Sequence, residues 1–156
     1  MVVVSDTSPL IALEYLDDME VLPRILPGRV FVPPAVLVEL SGRVLPPWIE
    51  GRKLAQPMGP RILQASLGAG ESEAISLALE QNADYLVIDD KAARRLAVAL
   101  RLNVIGTLGL LVKAKHAGLF AMIRPKLDAL RTLPFHIAPA LYDDILASID
   151  EAGSTS

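Results

Sequence analysis

Short runs of β-branched and aliphatic residues, each giving way to a helical stretch at a polar or proline-rich junction, constrain this chain more than any other feature. Val2 to Val4 leads into Ser5-Asp6-Thr7-Ser8-Pro9. Pro9 at a first helical position with Ser8 as N-cap predicts a helix through about Tyr15. After Met19 to Leu26 and the Pro27-Gly28 turn, Arg29 to Val32 reads as a second strand, and Pro33-Pro34 opens a helix to about Leu40. Pro46-Pro47 and Gly51 bracket a loop, Arg52 to Gln56 reads as a third strand, and Pro60 to Ser66 as a short helix. Gly68 and Gly70 introduce a helix over Glu71 to Gln81, followed by the strand Tyr85 to Ile88 and a helix from Lys91 to about Leu100. Asn103 to Ile105 is a fifth strand. Helices are expected at about Leu108 to His116, Phe120 to Leu130 and Pro139 to Ile149, with Gly153 to Ser156 as a frayed tail.

Strands alternating with helices in this way predict an α/β fold, a three-layer α/β/α sandwich around a mostly parallel sheet of about five strands. With 156 residues the chain is expected to form one domain over 1–150, with 151–156 as a flexible tail. Hydrophobic residues make up 52% and charged residues 21%, which argues for a folded protein rather than a disordered one. The longest apolar candidate, Leu102 to Val112, is bounded by Arg101 and Lys113 and is too short to span a bilayer. The N-terminus meets Asp6 early and lacks the pattern of a signal peptide, so the expected location is the cytoplasm. Cysteine is absent, which excludes disulfide frameworks, thiolate zinc sites and cysteine nucleophiles together. Any metal must then be held by oxygen or by the two histidines. Nothing in the sequence brings His116 or His136 near the acids, and both read as surface or structural.

In parallel α/β sheets the functional crevice lies beyond the carboxyl ends of the strands, where the strand order reverses. Asp6 follows strand one, and Asp89 and Asp90 follow strand four. Asp6 could act only as a helix cap. Glu39 stands in a helix whose other side chains are apolar and which is therefore expected to be largely buried; a carboxylate there needs a partner or a cation unless it lies on an exposed strip. Glu71 and Glu73 fall in the first turn of their helix, where the dipole favours negative charge without any function. Taken jointly, adjacent strands one and four would put Asp6 and Asp90 on strands about 4.8 Å apart, aimed at one crevice. Acids so close share a proton or bind a divalent cation, and all-oxygen ligands suit magnesium or manganese.

The net charge of −3 conceals a basic block: residues 91–131 carry 9 basic groups and 1 acid, within an otherwise acidic chain. An acid cluster beside a basic segment is what metal-assisted phosphodiester hydrolysis requires, whether with one ion or two.

These motifs resemble those of PIN domains, the magnesium-dependent ribonuclease fold of many prokaryotic toxin and RNA-processing proteins, including the VapC-like toxins. Val3-Val4-Ser5-Asp6-Thr7-Ser8-Pro9-Leu10-Ile11 is similar to the opening strand with its first metal-binding aspartate and following hydroxyl residues. Val32-Pro33-Pro34-Ala35-Val36-Leu37-Val38-Glu39-Leu40 resembles the second motif. Gly70-Glu71-Ser72-Glu73-Ala74-Ile75-Ser76-Leu77-Ala78 resembles the third, and Leu86-Val87-Ile88-Asp89-Asp90-Lys91 the fourth. The resemblance implies that Asp6, Glu73 and Asp90 bind Mg2+ or Mn2+, and that Glu39 orients a water or ligates through one. Glu71 and Asp89 stand as alternates, and Thr7 and Ser8 as hydrogen-bonding partners of the acids or the scissile phosphate. It also implies an RNA substrate, an antitoxin protein as partner and a homodimer. Lys91, Arg94 and Arg95 are the first candidates for RNA phosphates, with solvated helix charges as the alternative.

Two departures matter. Glutamate replaces the usual aspartate of the third motif, and Ile105-Gly106-Thr107-Leu108-Gly109-Leu110-Leu111 resembles a poorly characterised PIN subgroup rather than the best-known toxins. The competing reading is therefore an inactive PIN scaffold that binds a partner protein or RNA without cutting. A phosphotransfer protein is disfavoured, because a receiver domain carries its paired acids after the first strand, where this chain has Asp6 alone. Trp48, the single tryptophan, reads as core or interface, and the few aromatic residues do not suggest base stacking.

Overall fold

Val2–Ser5 (β1) is the central strand of a five-stranded sheet in the computed structural model, which describes residues 1–133 and 139–149. Arg29–Val32 (β2) pairs on one side of it and Tyr85–Val87 (β4) on the other; Ile49–Gly51 (β3) and Val104–Ile105 (β5) form the edges. The order is β3-β2-β1-β4-β5 and every pairing is parallel, with Val4 opposite both Phe31 and Leu86. The chain builds outward from β1 to β3, then crosses to β4 on the other flank. The order therefore reverses between β1 and β4.

Neighbouring residues of a strand face opposite sides of the sheet, and both sides are covered. Val3, Val30 and Val87 pack with Leu10 and Leu13 of Thr7–Tyr15 (α1), Leu22 of Val21–Ile25 (α2), and Leu110 and Ala114 of Thr107–His116 (α7). Val4, Phe31 and Leu86 pack with Ile75, Leu77 and Ala78 of Ala69–Glu80 (α5), and with Ala93 and Ala97 of Lys91–Ala99 (α6). Pro34–Glu39 (α3) and Met58–Leu63 (α4) both contact α5. A third cluster holds Arg124–Leu130 (α8) and Pro139–Ser148 (α9) to α1 and α7, through Ala12, Leu111, Ile123, Leu127, Leu130, Tyr142 and Leu146. No helix of the described residues is long and apolar enough to cross a membrane.

Several sequence expectations require correction. The first helix begins at Thr7 with Asp6, not Ser8, at the N-cap. Pro9 then stands in the first turn, where its missing N–H has no intrahelical acceptor to lose. The third strand is Ile49–Gly51, upstream of Arg52 to Gln56. It is an edge strand whose residues are exposed or half-buried, so no apolar alternation marks it, although the Arg52 N–H still donates to Val32 O at 2.9 Å. The short helix α2 carries Pro23 in its first turn and was not expected; α8 starts at Arg124, with Pro125 near its start, rather than at Phe120. The expectation that α3 is largely buried also fails. Of its residues Val36 is buried, while Leu37 and Val38 are exposed, Val38 to 72%. A helix of under two turns can turn only a narrow strip toward the core. His136 and the tail from Gly153 lie outside the described residues.

Candidate active site

The carboxyl end of β1 meets that of β4 where the strand order reverses. The Asp6 N–H donates to Val87 O at 2.9 Å, so the first residue beyond β1 is stitched to β4. The Asp6 backbone is extended, and its side chain makes no helix-capping hydrogen bond although it occupies the N-cap. Asp6 is only 3% exposed. Burial pushes its carboxyl up to about 7. A backbone hydrogen bond from Thr7 works the other way, and the charges of Glu71, Glu39 and Asp89 reinforce the rise. Asp6 is thus a buried acid under the combined field of three others.

Glu39 reaches this point from α3. Thr7 Oγ1 donates to Glu39 Oε2 at 2.5 Å. Both acids close on Gly70, in the first turn of α5: a Cβ built there would stand 2.7 Å from Glu39 Oε1 and 3.1 Å from Asp6 Oδ1. Gly70 is buried, and only the absence of a side chain lets the two carboxylates approach the helix backbone.

Residues two apart on a helix point about 200° apart, so Glu71 and Glu73 cannot serve the same side. Glu71 is the first-ranked charge acting on Asp6, and its Oε2 folds back toward the N-cap Gly68. Glu73 turns to α3, where its Oε1 accepts the Ala35 N–H at 2.9 Å and caps that helix. The β4 acids divide in the same way. Asp90 is exposed and caps α6, accepting the Ala93 N–H at 2.9 Å. Asp89 is half-buried, and accepts the N–H of Thr107 at 2.8 Å and its hydroxyl at 2.7 Å. Burial raises the Asp89 pKa, while both Thr107 hydrogen bonds and the Arg94 charge lower it.

Ser8 is exposed on α1, and Lys91 and Arg95 are exposed on α6; Arg94 is half-buried beside Asp89. His116 is exposed in the last turn of α7, and Trp48 packs half-buried against the core with its Nε1 donating to Glu20 at 3.3 Å. Among the described residues, no group of three or more acidic or histidine side chains is arranged to hold a metal ion.

Two parts of the site were missed in the sequence. Gly70 reads there as a helix introducer, whereas it makes the space the acids share. Thr107 follows the β5 strand at the same sheet edge as Asp6 and Asp89, and a hydroxyl residue just beyond a strand end is the signal that could have found it.

The sequence profile of the family DUF3368, described as a PIN domain, matches residues 2–151. No curated protein and no solved structure gives a significant match.

Proposed function

Because the chain belongs to the PIN-domain family, whose members are generally nucleases, we propose that it is a divalent-metal-dependent endoribonuclease. The observation that carries this reading is the convergence of Asp6 Oδ1 and Glu39 Oε1 on one point beside Gly70, where the strand order reverses between β1 and β4.

The donors suit Mg2+ or Mn2+: all are oxygens, and Mg2+ characteristically uses one or two carboxylates and keeps several waters. The buried Asp6 carboxyl, pushed up to about 7, has the environment of a group that lacks its countercharge. Asp6 and Glu39 would hold the ion, with Glu71 and Asp89 adding negative field. Glu73 and Asp90, to which the family resemblance gives direct ligation, each commit one oxygen to a helix cap. When bound, the ion supplies Lewis acidity toward a phosphoryl oxygen and a lowered pKa for its water.

The chain's own groups do the rest. The Thr7 hydroxyl fixes the Glu39 carboxylate through Oε2, leaving Oε1 turned toward Gly70 and Asp6. The buried floor formed by Ser5, Asp6 and Thr7 excludes bulk solvent beneath the reacting phosphate. Lys91 and Arg95 stand exposed on the helix that follows the β4 acids and would hold flanking phosphates. Action as a toxin with a cognate antitoxin and a homodimeric state are part of the same proposal and are supported by the family resemblance; a cytoplasmic setting belongs to it as well, on the N-terminal sequence pattern.

Incubation with RNA and Mg2+ or Mn2+ tests the reading. Cleavage is expected, EDTA should stop it, and Asp6→Asn should abolish it while the fold persists. Cleavage surviving in Asp6→Asn would overturn the assignment. The helix-cap roles of Glu73 and Asp90 favour one alternative, a non-cutting PIN scaffold. Calorimetry with no Mn2+ binding and no turnover would select it.

A further inference from the structure

Arg94 does not share the setting of its basic neighbours. Lys91 and Arg95 face solvent, whereas Arg94 is half-buried and its Nη1 donates to Ile88 O at 3.4 Å. The same nitrogen and Asp89 Oδ1 crowd the point where a Cβ on Gly106 would stand, the carboxylate oxygen at 2.7 Å from it. Gly106 therefore leaves the room that the guanidinium fills. From the other side Thr107 grips Asp89 through both its N–H and its hydroxyl. Ile88, Asp89, Arg94, Gly106 and Thr107 thus tie the end of β4 to α6 and to the start of α7.

We propose that Arg94 is a positioning residue, a built-in countercharge that holds Asp89 against Thr107 so that the β4 acid presents a fixed negative charge to Asp6. It is not a contact for RNA phosphate. A guanidinium suits this place because one of its nitrogens donates to the Ile88 carbonyl while its charge stands beside Asp89 across the space left by Gly106, acting on the carboxylate through the field rather than through a direct bond. The functional half of the inference rests on the nuclease reading; the clamp itself does not.

The experiment is a double-mutant cycle on the full chain, with Arg94→Met, Asp89→Asn and the double variant followed by thermal melting. In a domain of this size, losing the Ile88 hydrogen bond together with the charge beside Asp89 should lower the melting temperature of Arg94→Met by roughly 3–6 °C in the native background. In the Asp89→Asn background the drop should be smaller, because only the Ile88 hydrogen bond is then left to lose. Equal drops in both backgrounds would overturn the clamp. If Arg94→Met does not fold, Arg94→Gln, which keeps a donor for Ile88 and removes the charge, replaces it in the same cycle.

Mn2+ titration calorimetry reads the consequence for the site. Arg94→Met should weaken Mn2+ severalfold, because the Asp89 charge is no longer held beside the ion's Asp6 and Glu39 ligands, and the exposed Arg101→Met should not. Unchanged Mn2+ affinity in Arg94→Met would refute the positioning role. A fluorescent single-stranded RNA in EDTA separates clamp from phosphate contact. The slope of log affinity against log salt should fall by about 0.7 in Lys91→Met or Arg95→Met and stay put in Arg94→Met. A reduced slope in Arg94→Met would overturn the inference. Failure of the native protein to bind Mn2+ or RNA would count against the nuclease reading alone, since the melting cycle still decides the clamp.

Discussion

Thr7 and Glu39 are joined by a hydrogen bond from the first residue of α1 to the last residue of α3, Oγ1 to Oε2, at 2.5 Å. It is the link that brings an otherwise exposed glutamate to the buried aspartate beside Thr7. Thr7→Val keeps the shape and removes the donor. It should cost about 1 kcal/mol of stability and free Glu39 to turn to solvent. Cleavage should fall by an order of magnitude or more, as for loss of a group supporting a metal-site carboxylate. Denaturant melts and steady-state rates on one preparation check both halves, and an unchanged rate would refute the role given to this bond.

Gly70→Ala separates folding from site geometry. Alanine is the better helix residue by about 0.5–1 kcal/mol, so propensity alone favours the variant. The added methyl meets the tips of Glu39 and Asp6, and the exposed, flexible glutamate can swing away at little cost. A melting temperature at or above that of the native protein is expected, together with loss of Mn2+ binding and cleavage. Full activity would show that the two acids need not meet at this point.

Stability should depend on pH through Asp6. Its carboxyl titrates at about 7 in the fold against 3.8 in the unfolded chain, so between these values the folded state retains a proton that the unfolded state has released. The Asp6 contribution is therefore most favourable below about pH 4, declines as pH rises, and levels off above about 7. The full decline is on the order of a few kcal/mol. Asp6→Asn removes it, so that variant should melt higher than the native protein at pH 8, with the gap narrowing toward pH 5. A gap that widens on acidification would contradict the burial argument.

Divalent ions should act on the same balance from the other side. Saturation with Mn2+ at about 100 times its dissociation constant should stabilise the protein by about 2.7 kcal/mol, and chelation should remove the gain. Asp6→Asn should show little of it. Melting curves with and without EDTA at pH 8 make the comparison, and an equal Mn2+ shift in both proteins would place the ion elsewhere.

The layered parallel sheet was legible in the sequence because buried strands such as Tyr85 to Ile88 leave an apolar signature that solvent exposure does not blur. The adjacency of strands one and four was a condition of the site argument, which the strand order meets, and the β4 acid whose charge acts on Asp6 is Asp89 rather than the expected Asp90. β3 was displaced because an edge strand with half its surface in water carries no such signature. The pairs Glu71 and Glu73, and Asp89 and Asp90, could not be divided from sequence: which member faces Asp6 depends on the rotation of a helix or a strand end, which packing sets. Glu39 looked buried because its neighbours are apolar, yet Val38 beside it is 72% exposed, and the glutamate reaches the site by a hydrogen bond rather than by burial.

The central position of β1 has a bearing on biosynthesis. Its second flank is closed by β4, a segment translated long after the first residues emerge, and Asp6 hangs from Val87 by its own amide. A growing polypeptide still lacking that segment has an open edge where the acids should be enclosed. The acids at the strand ends are therefore brought together only once the segment that carries β4 has been made and has docked.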